Sequence, residues 1–284
     1  MNKLRLMIPK GRIFEKVTKL LNESGIHLDG DERAYRPVSS DPEIEVKLMK
    51  PQNIPKLIEL GAHDIGFTGF DWISDSCVDV EEIIDLKFDP VKIVAAIPEN
   101  LDVEELKKRK IVVASEYENI SKSFLEKNGF KYVFLRTYGA TEVFPPDDAD
   151  MIIDNTATGR TLEANKLRII DTIIKSSTRF IANKESLSDP WKREKITELE
   201  MLFRSILDAR DRVMLEMNVP KEKFEEIVNL LPCMRSPTVS PLYGERGYAV
   251  KVAVRDSEAV KLIPQLIKMG ATDILEYKFR KVVI

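Results

Sequence analysis

Short apolar runs of strand length recur along this chain, and most are followed by a segment whose apolar residues fall at helical spacing. That order commits the chain to α/β architecture, because a strand that pairs with a parallel neighbour needs a crossover of helix length. Leu4, Leu6 and Ile8 alternate up to Pro9, and Ile13, Val17, Leu20 and Leu21 then keep helical spacing until Gly25. Ile44, Val46 and Leu48 repeat the strand pattern. Asn53 is placed to cap a short helix through Leu60, which Gly61 stops. Asp64–Ile73 runs from strand through a small-residue turn into another helix. The register changes at Asp89–Ala95. Val91–Ile97, Ile111–Ala114 and Val133–Leu135 then read as strands of a second alternation lasting to about Lys175, with a helix from about Asn119 to Asn128. Thr178–Asn183 is expected to cross back to the first unit. Asp189 as N-cap and Pro190 behind it open a long helix with Trp191, Ile196, Leu199, Leu202, Phe203 and Ile206 on one stripe.

From Arg212 the pattern changes. Val213–Met217, Thr238–Ser240, Tyr248–Val254 and Asp273–Val283 read as strands, and Lys221–Leu231 and Ser257–Met269 as helices. This β-α-β-β-α-β order is ferredoxin-like. The expected organisation is a two-lobed core, with residues 1–90 and 179–210 as the first lobe and 91–178 as the second. Residues 211–284 follow as a small third domain. Two α/β lobes joined by two crossings resemble a periplasmic-binding-protein-like clamshell.

The sequence has 284 residues with a net charge of −3, so no basic face is implied and duplex nucleic acid is not expected as a partner. Two cysteines, Cys77 and Cys233, are too few for a disulfide or zinc scaffold and are expected as buried or half-buried thiols. Two histidines are too few to suggest a His-based metal site. No signal-peptide pattern opens the chain and no apolar run reaches membrane length, so a cytoplasmic protein is expected.

The stretch most suited to chemistry is Asp150–Leu167. The apolar Met151–Ile153 feeds a Thr/Ala/Gly turn and then a helix-like pattern. A strand end opening through such a turn leaves backbone N–H groups aimed at one point, which suits phosphate. Gly159 permits positive φ and close approach, and Thr156, Thr158 and Thr161 add hydroxyl donors. Asp154 suits a ribose diol or, through water, a magnesium ion. A plain helix start with Thr158 as N-cap and Glu163 in the first turn accounts for the same residues. Lys10-Gly11-Arg12, after the first strand, lies at the sheet edge where open α/β sheets bind ligands, although a solvated surface turn reads equally well there.

Asp154-x4-Gly159-x-Thr161-Leu162-Glu163-Ala164-Asn165-x-Leu167 resembles the phosphoribosyl-pyrophosphate loop of the ATP phosphoribosyltransferases, the first enzymes of histidine biosynthesis. Pro9-Lys10-Gly11-Arg12 is similar to that family's opening motif, and Asp64-Ile-Gly66-Phe-Thr68-Gly69-Phe-Asp71 to its Asp-x-Gly-x-x-Gly stretch. Leu231-Pro232-x3-Ser236-Pro237-Thr238 resembles the linker of the long-form subfamily. Lys166 stands where the family often has Gly, and only Lys47 and Lys50 offer charge where many members carry an arginine. The resemblance implies transfer of the 5-phosphoribosyl group of phosphoribosyl pyrophosphate to N1 of ATP, with Mg²⁺ as cofactor. It assigns Asp154, Asn155, Thr156, Ala157, Thr158, Gly159, Arg160 and Thr161 to the sugar donor. Lys10, Gly11, Arg12, Lys50, Thr68, Gly69 and Asp71 go to ATP or pyrophosphate. It further implies a third domain that binds histidine as feedback inhibitor, with Asn218, Ser236 and Thr238 as contacts, and dimers assembling to a hexamer. Asn218 stands where some members have an acid, and Cys233 replaces the usual Gly. No general base is nominated. A non-catalytic two-lobed sensor and a salvage phosphoribosyltransferase acting on a free base remain open from the residues alone.

Overall fold

The computed structural model describes every residue except Met1, Glu32, Cys233, Arg235, Glu245 and Ile284, so the expectation for the Cys233 thiol lies outside the described residues. The chain divides into two compact units, Met1–Thr197 and Glu198–Ile284. The division falls within a long helix.

The first unit opens with β1 (Leu4–Pro9), α1 (Phe14–Ser24), the two-residue strands β2 (Leu28–Asp29) and β3 (Val38–Ser39), β4 (Ile44–Met49), α2 (Ile54–Glu59), β5 (Ile65–Gly69), α3 (Phe70–Ser76) and β6 (Glu81–Asp85). It continues with β7 (Val91–Pro98), α4 (Val103–Lys108), β8 (Lys110–Ser115), α5 (Glu118–Lys127), β9 (Lys131–Arg136), β10 (Met151–Thr156), α6 (Arg160–Ala164), β11 (Leu167–Ser176) and β12 (Thr178–Ala182), and then enters α7 (Pro190–Arg210). Two five-stranded sheets result, ordered β4-β1-β5-β12-β6 and β11-β7-β10-β8-β9. β1 runs parallel to β4 and β5 in the first sheet, and β10, β8 and β9 are parallel in the second. The chain leaves the first sheet between β6 and β7 and returns through Ser177 alone, between β11 and β12. This is the two-lobed, periplasmic-binding-protein-like arrangement. The segment expected as a returning crossover is itself a strand of the first sheet.

Local chemistry accounts for these elements. Leu4, Leu6, Met7 and Ile8 are all buried in β1, the near-continuous apolar run of a strand covered on both faces. Val17, Leu20, Leu21 and Ser24 form the buried stripe of α1, which ends at Gly25 with φ +93°. At Gly66 of β5, a Cβ would come within 2.9 Å of Ile54 and 3.3 Å of Ile58, so its hydrogen lets α2 seat on the strand. Asn53 makes no side-chain cap bond. It ends a 3₁₀ turn over Pro51–Asn53 from which α2 continues, so there is no free helix start for it to cap. Asp189 does cap α7, accepting from the Lys192 amide at 3.0 Å. Cys77 is exposed rather than buried, at the left-handed C-cap of α3.

In the second unit, β13 (Arg212–Pro220), α8 (Phe224–Leu230), β14 (Thr238–Pro241), β15 (Gly247–Arg255), α9 (Asp256–Lys268) and β16 (Thr272–Lys278) form an antiparallel sheet ordered β14-β15-β13-β16, the ferredoxin-like pattern. Val213, Leu215, Met217 and Val219 alternate inward from β13 and pack with Ile227, Val252, Leu262 and Leu266. The last strand stops at Lys278, short of the expected Val283. No helix among the described residues is long and apolar enough to cross a membrane.

Candidate functional site

The carboxyl ends of the parallel strands carry the polar residues of the first unit. A cavity of about 150 Å³ is bordered by Lys10 and Arg12 after β1, Gly69, Asp71 and Trp72 at the β5–α3 junction, and Asp89 on the first crossing. Tyr117 beyond β8, Asn155 in β10 and Ser176–Thr178 on the return complete its wall. Five residues singled out in the sequence, Lys10, Arg12, Gly69, Asp71 and Asn155, therefore meet there. Gly11 lies between two of them with φ +82°.

Asp71 is the junction of this wall. Its buried carboxylate accepts the Tyr117 hydroxyl at 2.7 Å and the Ser176 hydroxyl at 2.6 Å, while its amide donates to Ser176 Oγ at 3.0 Å. Tyr117 in turn accepts the Asn155 side-chain amide at 3.2 Å and stacks on Trp72 at 4.4 Å between ring centres. Burial first, and then the charge of Asp71, hold the Tyr117 hydroxyl protonated far above the usual tyrosine range. A Cβ at Gly69 would strike the Asp71 carboxylate, so Gly69 clears space for this hub. One turn on, Asp75 accepts the Ile120 amide at 3.0 Å, and its carbonyl accepts from Asn119 at 2.6 Å. Helix α3 of the first sheet thus secures the start of α5 on the second. Thr68 is wholly buried, and its hydroxyl donates to the Pro51 carbonyl at 2.9 Å. It stands behind the wall, with its donor committed.

The strand expected to end at Ile153 continues through Thr156, and the turn closes on Gly159, not Thr158, as N-cap with φ +83°. The helix that follows has only five residues, so its dipole adds little beside the loop amides. The Gly159 amide donates to Thr156 Oγ1 at 2.9 Å and the Arg160 amide to Thr158 Oγ1 at 3.5 Å. The amides of Ala157, Thr158 and Thr161 have no protein acceptor among the described residues. Half-buried Asp154 lies at the base of this loop with its pKa pushed up to about 7, by burial first and then by the charges of Glu142 and Glu116. Glu116 is itself raised by burial, opposed by Arg136 and Lys50. Lys50 therefore faces the acidic side of the cleft, whereas Lys47 acts on His63 elsewhere. Among the described residues no three metal-binding side chains converge. The carboxylate surplus around Asp154 nonetheless fits a divalent ion that arrives with a substrate and takes most of its ligands from it.

Lys10 lies 3.5 Å over the Tyr35 ring and also borders a second, more open cavity of about 380 Å³ with Asp31 and Arg33. In the second unit, Asn218 donates to Asp273 at 2.8 Å, as does Thr272 at 3.0 Å. Thr238 and Asn218 lie on one face of the sheet through the Lys251–Glu216 and Ala249 rungs, and Ser236 is an exposed residue just before β14. Trp72, Asp89, Tyr117, Ser176 and Asp273 join these positions without having stood out in the sequence. Tyr117 follows a parallel strand as Lys10 does, a signal that could mark it; Asp89 and Asp273 carry no local signal.

Residues 50–205 match the family described as ATP phosphoribosyltransferase, and residues 209–281 match "HisG, C-terminal domain". ATP phosphoribosyltransferases of Chlorobium phaeovibrioides and Thermodesulfovibrio yellowstonii are each 41% identical to it. Those alignments cover 99% of this chain and 97% and 98% of theirs. A chain of the solved ATP phosphoribosyl transferase (HisG:HisZ) complex from Thermotoga maritima superposes with a TM-score of 0.64 at 27% identity. That match spans 98% of its length but only 71% of this chain. The chain belongs to the ATP phosphoribosyltransferases, the enzymes of the first step of histidine biosynthesis, in the long form that carries the family's C-terminal domain.

Proposed function

We propose that the cleft joins the two substrates of this reaction in a defined orientation. The lone pair of adenine N1 forms a bond to C1 of the phosphoribosyl donor. The bond from C1 to the pyrophosphate oxygen breaks, and its electron pair leaves with pyrophosphate. Bond breaking runs ahead of bond making, so the ribose passes through an oxocarbenium-like state, by analogy with glycoside hydrolysis. Such a reaction asks for positioning and for cations around the leaving group more than for a general base.

The 5-phosphate is assigned to the loop Thr156–Thr161, through the amides of Ala157, Thr158 and Thr161 and the hydroxyls beside them, with Gly159 setting the turn and Arg160 at its rim. Asp154 takes the ribose hydroxyls or a Mg²⁺ ion shared with the donor. When bound, that ion neutralises charge building on pyrophosphate. Lys10, Arg12 and Lys50 take pyrophosphate or nucleotide phosphates, with the Gly11 backbone alongside. Asn155 on the donor side and Gly69 and Asp71 on the ATP or pyrophosphate side line the cleft, where Asp71 acts through the Tyr117 and Ser176 hydroxyls it holds, and Thr68 supports the Pro51 turn. The observation that carries this reading is the meeting of open loop amides with the half-buried Asp154 carboxyl at the end of one strand.

The division into residues 1–90 with 179–210, 91–178 and 211–284, histidine bound by the third part as feedback inhibitor of the enzyme, a dimer assembling to a hexamer, and a cytoplasmic location complete the proposal. Asp273, beside Asn218, offers the carboxylate that the sequence lacks at position 218. The test is ultraviolet absorbance on mixing the protein with ATP, phosphoribosyl pyrophosphate and Mg²⁺ in the presence of pyrophosphatase. Phosphoribosyl-ATP formation is expected. Consumption of free bases in place of ATP, or no product, would overturn it.

A further inference from the structure

Asp89 sits on the first crossing between the sheets with φ +47°, and its side chain is only 9% exposed. One oxygen, Oδ1, meets Lys16 Nζ at 2.8 Å and Arg12 Nε at 3.6 Å. The other, Oδ2, is buried with no hydrogen-bond partner, although Asp89 borders the cavity described above. Buried carboxylate oxygens are rarely left without a donor, because desolvation then goes uncompensated. A donor brought in by a ligand removes that cost. The same cavity offers the stacked Trp72 and Tyr117 rings as an aromatic wall and Lys10 and Arg12 as cations. A ligand that fits all three has a flat ring, an N–H donor on that ring and a phosphate attached to it.

We propose that Asp89 Oδ2 accepts a hydrogen bond from the exocyclic 6-amino group of adenine, and that this contact makes the cleft select adenine over 6-oxo purine nucleotides. A 6-oxo group would set acceptor against acceptor at the same point. As N1 gains its bond to carbon, positive charge spreads to the 6-amino group. The hydrogen bond therefore strengthens toward the transition state, where it lowers the barrier. This assignment rests on the reading of the cleft as the ATP site.

The test compares adenosine and inosine 5′-monophosphates by calorimetry on the full chain and on Asp89→Asn and Asp89→Gly. Glycine suits the positive φ and keeps the test usable should the asparagine variant fold poorly. The two nucleotides share ribose and phosphate, so any change at Arg12 or Lys16 cancels in their ratio. Wild type is expected to prefer the adenine nucleotide at least tenfold, with the preference falling severalfold or more in both variants. An unchanged ratio, or equal weakening of both nucleotides, would overturn the assignment. If wild type still makes phosphoribosyl-ATP in that case, Asp89 alone is misassigned. If it makes none and binds neither nucleotide, the cleft reading fails and the assignment with it.

Discussion

Asp154 holds its proton into the neutral range, near pH 7 against an ordinary 3.8. Between those two values the folded chain keeps a proton that the unfolded chain has released. Stability therefore falls as pH rises through that window, and the full penalty stands above pH 7. Fully transmitted it would reach about 4 kcal/mol, and solvent screening at this half-exposed site reduces it to about 1–2 kcal/mol. Asp154→Asn should accordingly gain about that much over wild type in urea unfolding at pH 8 and almost nothing at pH 4; equal effects at both would refute the burial argument. Wild-type affinity for magnesium phosphoribosyl pyrophosphate should weaken about tenfold per pH unit below 7, a dependence that the asparagine variant loses. Gly159 has room for a side chain, since its nearest would-be neighbour is Ile169 at 3.9 Å. Gly159→Val instead costs about 1–2 kcal/mol of left-handed strain and sets a branched group over the open amides. Donor affinity should fall more than tenfold in titration while the circular dichroism spectrum is kept. Wild-type affinity would remove the loop from the site.

Among the elements, α3 and α5 couple the lobes through Asp75, whose carboxylate takes the Ile120 amide. Asp75→Ala leaves that helix start open and should cost about 1–2 kcal/mol in chemical denaturation, with nucleotide binding weakened because Trp72 and Tyr117 lie one turn away. A change below about 0.5 kcal/mol would show that the contact is dispensable. Strands buried on both faces, such as β1 and β7, were legible in the sequence because apolar runs have one meaning there. Strand β6, with Glu81, Glu82 and Asp85 among its five residues, was not, because an edge strand needs no apolar pattern. The ten-residue β11 was hidden by two register shifts that break its alternation. The site divides in the same way. Lys10, Gly159 and Asp154 announce themselves through turn chemistry at strand ends. Asp89 and Asp273 matter only through partners distant in the sequence, and nothing local to Thr68 shows that its hydroxyl is committed to the Pro51 carbonyl. Lys166, where a glycine was expected, does adopt φ +56°, so the backbone there follows the glycine pattern without the residue.

At the scale of the molecule, the chain couples a two-lobed catalytic unit to a separately packed ferredoxin-like unit. If the second unit senses histidine, truncation of residues 212–284 should leave turnover less sensitive to it, read as the rise in the histidine concentration that halves the rate. Equal inhibition of the full and truncated chains would place the effector site in the catalytic unit. Within the catalytic unit, the turn after β10 is proposed to grip the sugar donor by its 5-phosphate. A crystal structure with phosphoribosyl pyrophosphate and Mg²⁺ bound tests it most directly. The phosphate should lie within hydrogen-bonding distance of the amides of Ala157, Thr158 and Thr161, with Asp154 beside the ribose. A 5-phosphate lodged instead against Lys10 and Arg12 would contradict it.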